Sequence, residues 1–578
     1  MSAFLIVKKS VSYSIDKALT CFKEKGLSTP QQITVGEFSI YFYKKIGVHT
    51  EVSVAESGHQ LIVCGTLVYR SLSHQKSIAL LLQDLITENV DQKKILGNFC
   101  FIHIYKNEIH LYSDALGIQN IYYTTNKDVF SSSFLAIASL LPSISINKMA
   151  AAESICTGSL IGPDTLLNEV LRVEPHQIPK AEGMSIRFID KPAIRADVKR
   201  DYTEEVEFQL DVLQNYFHSF KNLADEFGVD SGITGGHDSR LIMAHAQKYW
   251  DKVTYHSHFR KVKDDELSVA EEVCKEAKVP LKQVFVKHPL DMSNEEFEEV
   301  MNMGFLFFDG HVKMHAFWTE EYNTLPYRQK VLGDSKLAIS GIGGEQYRNT
   351  EGMFMINWNY RNFIKYAILL NSCGHSFKDE KSEKEMVDFL VHKISSKLGV
   401  DHSLKWMDML TMKRYLNEVF IPARLGMRNN AENTLSFFAS PFIDAQVSIP
   451  AYSAISHLGI AYQFQENMLT KLNPQLASVR SSYGFNFIEG EPFNLKLRQW
   501  FKNIIPQSIL QKRTDNYFKN TDDSFCQELQ LKHPVCKEYI ERVKELGLPV
   551  NIDQILKMPD LMPLVLNLGF MLKKLNIH

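Results

Sequence analysis

The first 195 residues carry short runs of β-branched and aromatic residues, and polar, turn-forming residues separate these runs. Such runs are typical of strands. Among them, residues 77–89 repeat their apolar positions at helical spacing, which predicts a helix. Strands with a few helices on the outside indicate a layered α+β domain. The predicted strands are residues 4–7, 38–43, 60–68, 99–105 and 109–112.

A polar stretch at residues 180–200 separates this part from the rest of the chain. We place a domain boundary there, which divides the chain into residues 1–195 and 200–578. Strand and helix patterns alternate in the second part, which indicates a parallel sheet with helices on both faces. Beyond residue 339 the pattern is mostly helical. The predicted helices are residues 203–227 and 266–278, and the predicted strands are residues 228–234, 252–259, 282–286 and 332–339.

Composition and charge narrow the functional classes. Of 578 residues, 45% are hydrophobic and 23% are charged, which is ordinary for a globular protein and excludes a disordered or collagen-like chain. The net charge of −3 argues against binding nucleic acid through bulk charge. The eight cysteines include no C-x-x-C pair, so we expect free thiols in a reducing cytoplasm. We find no signal peptide and no membrane span.

A strand, two glycines and a helix start meet at residues 234–239, which read T-G-G-H-D-S. Glycines let backbone N–H groups approach an anion, and a helix N-terminus adds unpaired donors and a partial positive charge. Thr234 and Ser239 add hydroxyls, and Asp238 adds a carboxylate suited to Mg²⁺. The segment fits a nucleotide pyrophosphate, although it is neither a Walker P-loop nor a dinucleotide G-x-G-x-x-G motif. The alternative is an ordinary helix N-terminal turn.

Residues 340–346, which read S-G-I-G-G-E-Q, form a second glycine turn after a predicted strand. Three glycines in four residues indicate close approach of the backbone to another group. Glu345 could supply a second carboxylate to the same metal ion. Open α/β sheets bind ligands at the carboxyl ends of their strands, where both turns fall. The alternative is a flexible loop with a solvated glutamate.

The first turn resembles the S-G-G-x-D-S pyrophosphate loop of N-type ATP pyrophosphatases. The two turns in this order resemble the asparagine synthetase family, which includes β-lactam synthetases and lasso-peptide cyclases. The resemblance implies a glutaminase-like N-terminal domain of the layered αββα (Ntn) type and a C-terminal ATP-pyrophosphatase domain. Supporting similarities to the family are G-N-F-C-F at 97–101, S-D-A-L-G at 113–117, Y-Y at 122–123, D-D-E at 264–266 with Ala270, and S-P-F-I-D at 440–444.

The resemblance implies an AMP-forming amide ligase with ATP and Mg²⁺ as cofactors. Such an enzyme adenylates a carboxylate, releases pyrophosphate and joins the acyl group to ammonia or to an amine of the substrate. Asp238 and Glu345 would hold the metal, and the pathway would be a specialised one, such as natural-product, modified-peptide or polysaccharide biosynthesis. ATP and pyrophosphate would contact Thr234, Gly235, Gly236, His237, Ser239, Gly341, Gly343 and Gly344.

The N-terminal domain departs from the glutamine-dependent members of the family, which begin Met-Cys and use that cysteine as nucleophile. Here the second residue is Ser2, and residues 64–69 lack the asparagine of the family's N-G-E-I-Y-N segment. No R-G-P-D segment is present either. We therefore expect no glutaminase activity. The domain would be a structural relic or a platform for a partner, and a homodimer or a pathway partner protein stays open.

Two departures concern the ligase domain. Ile342 stands where asparagine synthetases carry glutamate and β-lactam synthetases carry tyrosine, so asparagine is not the expected product. Residues 506–510 resemble the L-P-x-x-I-L that precedes the family's x-R-x-K, but Thr514 aligns with its lysine. Lys512 is our candidate for the cation on the phosphate side. The alternatives are Arg513, Lys519 and a solvated basic turn with no role.

Four histidines suggest a metal site that we do not favour. His311 and His315 have helical spacing, but Val312 breaks the H-E-x-x-H motif, so we expect core or surface histidines. His256 and His258 alternate along a strand and are expected to line or flank the nucleotide cleft. The alternative functions are a tRNA-modifying enzyme of the pyrophosphatase fold, a non-catalytic scaffold, and a glutamine-independent asparagine synthetase.

Overall fold

The computed structural model describes residues 2–48, 50–51, 53–182, 185–190, 200–260, 265–311, 316–318, 324–349, 358–369, 376–401, 406–459, 461–497, 512, 516 and 523–577. Some sequence predictions fall outside these ranges. They are residues 195–199 of the domain boundary, Asp264 of the D-D-E segment, His315, the P-Q-S-I-L segment at 506–510, Arg513, Thr514 and Lys519.

Most strands in the N-terminal part of the described chain belong to two six-stranded antiparallel sheets. One sheet has the order β12-β10-β11-β1-β3-β2, and the other has the order β14-β13-β9-β8-β5-β4. A separate short ribbon pairs β6 with β7. The strands are β1 Ala3–Lys8, β2 Gln31–Val35, β3 Phe38–Tyr43, β4 Ser53–Glu56, β5 His59–Gly65, β6 Val68–Tyr69, β7 Ile95–Leu96, β8 Phe99–Tyr105, β9 Glu108–Ser113, β10 Tyr122–Thr124, β11 Val129–Ser131, β12 Val170–Arg172, β13 Gln177–Glu182 and β14 Ser185–Asp190.

The strands of both sheets are apolar on two faces. One face of each sheet packs against the other sheet, and the opposite face packs against helices. In β1, Phe4 and Ile6 enter the core between the sheets, whereas Leu5 and Val7 pack on the opposite face against helices. In β8, Cys100 and Ile102 face the same inner core, and Phe101 faces an outer helix. Strands buried on both faces lie in the interior of a layered domain.

Helices cover the outer faces of both sheets, which completes the αββα order predicted for this part of the chain. On one side α1 and α3 pack together against the sheet that contains β1. On the other side α2 contacts β4, β5 and β6. The helices of this part are α1 Ile15–Glu24, α2 His74–Ile86, α3 Phe134–Leu140 and α4 Lys148–Thr157.

The C-terminal part contains the predicted parallel sheet, and its described strands have the order β17-β16-β15-β18-β21, with every pair parallel. Helices lie on both faces, as predicted. In β18, Leu337 and Ile339 join the core formed with α5 and α6, whereas Ala338 on the other face meets Leu332 and Leu435. The strands are β15 Val229–Gly232, β16 Val253–Phe259, β17 Leu281–Phe285, β18 Leu337–Ile339 and β21 Phe437–Ala439, and an antiparallel ribbon pairs β19 Trp358–Asn359 with β20 Trp406–Met407.

Three strand predictions were too long: residues 60–68 divide into β5 and β6, residues 228–234 shorten to β15, and residues 332–339 shorten to β18. Residues 332–336 are not part of β18, because a helix beginning with Pro326 in its first turn ends at Leu332 and Gly333 turns the chain. The edge strand β21 was missed, since it has only three residues between a helix and the S-P-F-I-D segment. The helices are α5 Tyr202–Phe227, α6 His237–Tyr249, α7 Asp265–Glu276, α8 Asn294–Phe307, α9 Leu325–Leu332, α10 Tyr360–Phe363, α11 Glu380–Leu398, α12 Met409–Arg414, α13 Ile421–Leu435, α14 Ala445–Ser448, α15 Gln463–Leu472, α16 Pro474–Ser478, α17 Ser524–Lys532, α18 Val535–Glu545, α19 Ile552–Ile555 and α20 Met562–Lys574.

Short irregular helices complete the described secondary structure. Five are 3₁₀ turns, and two are π-helical segments next to α10 and α12. No described helix is long and apolar enough to cross a bilayer. The seven cysteines that the structure describes are all buried. The irregular helices are Gln92–Lys94, Pro289–Asp291, Gly344–Tyr347, Ile364–Ile368, Tyr415–Phe420, Pro441–Ile443 and Pro450–His457.

Several of the family-like segments lie where the αββα part meets the parallel-sheet part. Asp444 is buried and accepts a hydrogen bond from the backbone N–H of Gly97 at 2.5 Å. Lys45 is also buried, and its ammonium group donates to the backbone carbonyl of Asn433 near the end of α13. Both contacts join segments more than 300 residues apart in the chain. The S-P-F-I-D and G-N-F-C-F segments therefore have a structural role at this junction.

The S-D-A-L-G segment has a similar role. Asp114 accepts hydrogen bonds from three backbone N–H groups of the loop that follows it, including that of Ile118. The loop lies on α13, where the Asn430 side chain donates to the Ile118 carbonyl at 3.0 Å. Gly426 faces the same carbonyl, and a Cβ there would lie 3.1 Å from it. Asp114 thus shapes a loop that packs on the parallel-sheet part.

We expect Asp444→Ala to lower the free energy of unfolding by about 2–3 kcal/mol, because it removes a helix cap and leaves a buried N–H of Gly97 unpaired. Burial raises the pKa of Asp444 to about 7, so the folded chain binds this proton more tightly than the unfolded chain does. The stability that Asp444 contributes should therefore fall as the pH rises from 3.8 toward 7.

Urea denaturation at several pH values measures both effects. Asp408→Ala is the matched control, because Asp408 also caps a helix but is exposed, and its loss should cost about 1 kcal/mol. Equal losses from the two variants would contradict the junction role of Asp444.

Candidate functional site

The first glycine turn connects the carboxyl end of β15 to the start of α6, with Gly236 as the capping residue of the helix. The Ser239 hydroxyl accepts from the Thr234 N–H and lies 3.1 Å from the Thr234 hydroxyl. The Gly236 N–H also points to the Thr234 hydroxyl oxygen, at 3.3 Å. Thr234 is exposed, whereas Ser239 is buried. The turn therefore holds two hydroxyls together beside the unpaired N–H groups of a helix N-terminus.

The second glycine turn follows β18, the neighbour of β15 in the sheet, and it lies directly against Asp238. Gly343 has a φ of 92°, which favours glycine, and it begins the 3₁₀ turn Gly344–Tyr347. A Cβ on Gly341 would lie 3.0 Å from the Asp238 backbone carbon, and a Cβ on Gly344 would overlap the Asp238 carboxylate. Close approach of the two turns explains why this loop contains glycines.

Asp238 and Glu345, the two predicted metal ligands, converge on one cationic side chain. The Nη2 atom of Arg348 lies 3.0 Å from Asp238 Oδ2 and 3.0 Å from Glu345 Oε1. The other oxygen of Asp238 accepts from the buried Gln465 side chain at 2.6 Å. The two glycine turns and α15 thus build one small charged site at the carboxyl ends of the parallel strands β15 and β18.

Burial controls the electrostatics of this site. It raises the pKa of Asp238 to about 6; Arg348 opposes the rise, and Glu345 adds to it. Burial alone would lower the pKa of Arg348, but Asp238 and Glu345 outweigh it and hold that pKa above its ordinary value. The guanidinium is therefore a permanent positive charge between two carboxylates.

The His237 side chain is not a charged group at the surface of the glycine turn. It is buried and stacks on Phe487 and Tyr462, with ring centroids 3.8 and 4.6 Å away. Burial lowers the pKa of His237 to about 2, so the ring is neutral at physiological pH. Its backbone N–H is still in the first turn of α6. The imidazole belongs to an aromatic cluster that supports the helix start.

Arg240 fixes the back of the first turn. It is buried, and its guanidinium donates to the carbonyls of Val479, Arg480, Leu476 and Gly235. A Cβ on Gly235 would lie 2.8 Å from the Ser482 side chain. Arg240 therefore ties the segment after α16 to the glycine turn through backbone acceptors.

Apolar and basic groups flank the second turn. Ile342 is half-buried and packs both against the apolar cluster that contains Leu332 and Leu435 and against the main core. Lys413 of α12 is buried and donates to the carbonyl of Gln346. Burial lowers the pKa of Lys413 to about 7, and Glu345 opposes that shift. A buried lysine next to Glu345 adds a second basic group to the site.

Sequence reasoning identified both carboxylates but missed Arg348, Gln465, Arg240 and Lys413. Arg240 and Arg348 stand two and three residues after the predicted metal ligands, so a signal was present in the motifs themselves. Gln465 and Lys413 carry no such signal, since they reach the site from distant helices.

The donor set fits a magnesium–nucleotide site. Mg²⁺ in nucleotide sites is usually held by one or two carboxylates, with phosphates and waters completing the shell. Asp238 and Glu345 supply two such carboxylates, both at hydrogen-bonding distance from the Nη2 atom of Arg348. The described residues contain no cluster of three or more His, Cys, Asp or Glu side chains that could hold a metal ion, so phosphates and waters would have to complete the shell.

Lys512, the candidate phosphate-side cation, is exposed, and the residues on both sides of it lie outside the described ranges.

The structure describes three of the four histidines considered in the sequence analysis. His256 is buried and lies 2.9 Å from Asp230 on the neighbouring strand, and His258 lies 3.1 Å from the Tyr327 hydroxyl. His311 is hydrogen-bonded to the Tyr122 hydroxyl at 2.5 Å. None of these three belongs to a metal cluster within the described chain.

Ser2 directly precedes β1 and is buried. Its N–H donates to the Tyr43 carbonyl at 3.0 Å, and its hydroxyl donates to the Lys44 carbonyl at 2.8 Å. Thr66, which lies in the segment that lacks the family's asparagine, donates to the Asn433 side chain at 2.7 Å. The hydroxyls of both residues therefore take part in contacts that hold the fold.

No family model matches the chain, and no curated protein matches it significantly. Among the solved structures that match is the glutamine phosphoribosylpyrophosphate (PRPP) amidotransferase from B. subtilis complexed with ADP and GMP. It is 10% identical, with a TM-score of 0.23, over 49% of this chain and 65% of that chain. A structure of the allosteric regulatory enzyme of purine biosynthesis is 8% identical, with a TM-score of 0.22, over 50% of this chain and 82% of that chain. At these TM-scores neither likeness bears on the function of this chain.

Proposed function

We propose that this chain is an ATP-dependent, AMP-forming amide ligase of the kind that its two glycine turns resemble. The observation that carries the proposal is the meeting of both turns at Asp238, with Glu345 on the same guanidinium atom. The turns are distant in sequence, and each alone has an ordinary explanation. Their contact at the carboxyl ends of adjacent parallel strands is where an α/β sheet binds a nucleotide.

The reaction divides into two steps. In the first, an oxygen of the carboxylate substrate attacks the α-phosphorus of ATP, the bond to the β-phosphate breaks, and pyrophosphate leaves. In the second, a neutral amine attacks the acyl carbon, AMP leaves with the electron pair of the broken acyl–oxygen bond, and the nitrogen releases one proton. Both steps develop negative charge on phosphate oxygens, which positioned donors and cations stabilise.

Each part of the site has a place in that scheme. The N–H groups at the start of α6 and the Thr234 and Ser239 hydroxyls would donate to pyrophosphate oxygens. Asp238 and Glu345 would hold Mg²⁺, which neutralises phosphate charge when it is bound. Gln465 orients the Asp238 carboxylate through its 2.6 Å hydrogen bond.

Ile342 would give the amine side of the site an apolar wall. It packs with Leu332 and Leu435, and Ser440 fixes its carbonyl at 2.9 Å. An apolar wall excludes water from an acyl-adenylate and transfers no proton. The amine would therefore arrive neutral or lose its proton to another group, and aspartate with ammonia is not the expected substrate pair.

Product analysis tests the proposal. The full chain is incubated with ATP, Mg²⁺, ammonium and a panel of amino acids and short peptides, and nucleotides are separated by ion chromatography. We expect AMP and pyrophosphate in equal amounts with at least one carboxylate of the panel. Formation of ADP and phosphate instead would contradict the AMP-forming mechanism. Asparagine formed from aspartate would favour the synthetase alternative.

We expect Ser2→Ala to leave ATP-dependent turnover within about twofold of wild type, because the Ser2 hydroxyl donates to a backbone carbonyl and performs no chemistry in our scheme. Glutamine should not replace ammonium or a substrate amine. The measurement is glutamate release from glutamine, followed beside AMP formation. Glutamate release that disappears in Ser2→Ala would overturn this assignment.

A further inference from the structure

The contacts of Arg348 differ from those of an arginine that only supports the fold. A single nitrogen, Nη2, is 3.0 Å from a carboxylate oxygen on each of the two glycine turns. Its side chain is 12% exposed, and its Nε atom is buried without a hydrogen-bond partner among the described residues. The carboxylates that hold it are the same two that the proposed reaction assigns to Mg²⁺.

Arg240 shows the contrast within the same site. Its guanidinium donates to backbone carbonyls of both the glycine turn and the segment after α16. Those acceptors are neutral and fixed by the fold, so Arg240 has no reason to move. Arg348 is held by charged side chains that a divalent cation would also attract.

A divalent cation and the Arg348 guanidinium cannot both lie between these carboxylates. Two cations a few ångströms apart repel each other strongly in a half-buried site. If Mg²⁺ binds both oxygens, Nη2 must leave, and the displaced guanidinium is beside the turn where phosphates would bind. Arginine is well suited to that second position, because its planar donors match phosphate oxygens.

We infer that Arg348 is an exchangeable internal cation. It bridges Asp238 and Glu345 in the chain without nucleotide, competes there with a free divalent cation, and donates to phosphate oxygens once a metal–nucleotide complex binds. Arg348 is thus a binding residue that couples metal binding to nucleotide binding. The nucleotide half of this inference rests on the proposed function, whereas the competition with metal does not.

Mn²⁺ titration followed by electron paramagnetic resonance tests the competition directly, with no nucleotide and no turnover. Arg348→Gln should bind Mn²⁺ about tenfold or more tightly than wild type, because the bridging charge is gone. Asp238→Asn in the Arg348→Gln background should remove that gain. Arg542→Ala is the control, since Arg542 forms an exposed ion pair with Glu538 on α18, and it should bind Mn²⁺ as wild type does.

Arg348→Lys provides a second variant that keeps the positive charge. A single ammonium cannot reproduce the guanidinium fork, so Mn²⁺ affinity should rise by a smaller factor, about two- to fivefold. Mn²⁺ affinity that is unchanged in both variants would overturn the inference, whether or not the chain proves to be a ligase.

The nucleotide half has its own readout. α,β-Methylene ATP with Mg²⁺, titrated by calorimetry, should bind about tenfold or more weakly to Arg348→Gln than to wild type. Tighter Mn²⁺ binding with unchanged nucleotide affinity would contradict the transfer of Arg348 to phosphate.

Discussion

Asp238→Asn is expected to reduce pyrophosphate release at least about 100-fold while leaving the fold intact. The variant keeps the shape of the side chain but removes one of the two charges that would hold Mg²⁺, and such a loss costs several kcal/mol of transition-state stabilisation. The amide can still accept the hydrogen bond from Gln465, so the packing of the two turns should survive. Continuous pyrophosphate detection with the carboxylate found by product analysis measures the effect.

Asp251→Asn is the control for this prediction. It removes the same charge from a side chain that is 84% exposed, and it should leave turnover unchanged. Wild-type turnover in Asp238→Asn would mean that the metal site is assigned to the wrong carboxylates.

Gly344→Ala is the second change with a large expected effect. A Cβ at this position would overlap the Asp238 carboxylate, and the neighbouring Gly343 and Tyr347 are buried and leave little room for the turn to shift. Asp238 would have to rotate and lose its bond to Gln465. We expect the free energy of unfolding to fall by about 1–3 kcal/mol and metal–nucleotide affinity to fall about tenfold or more.

Gly232→Ala is the matched control for Gly344→Ala. Gly232 ends β15 at the same edge of the sheet, but a Cβ there would meet only the His256 ring, at an ordinary 3.5 Å. Urea denaturation and calorimetric titration compare the two variants. If they behaved alike, close contact of the second turn with Asp238 would not explain its glycines.

The sequence predicts those parts of the fold that local periodicity controls. The apolar runs located β1, β3 and β8 within a residue of their ends, and the alternation after residue 228 predicted the parallel sheet. The prediction extended β18 too far because Leu332 is apolar for a helix, α9, rather than for the strand. Periodicity alone cannot separate a short buried strand from the buried end of a helix.

The residues of the candidate site fall into two groups: those that a local sequence motif reveals, and those that only the folded structure brings to the site. The glycine turns and their carboxylates follow strands, so a motif with local spacing finds them. Gln465 and Lys413 approach from α15 and α12, and nothing in their own neighbourhoods marks them as parts of a site. The bridge through Arg348 depends on how closely the two turns pack, which is a property of the folded sheet edge.

Calorimetric titration of the full chain with α,β-methylene ATP and Mg²⁺ tests most directly the claim that the two glycine turns form one metal–nucleotide site. We expect saturable binding that requires Mg²⁺ and that weakens about tenfold or more in Asp238→Asn but not in Asp251→Asn. Absence of binding to the wild-type chain, or equal affinity in Asp238→Asn, would contradict the claim.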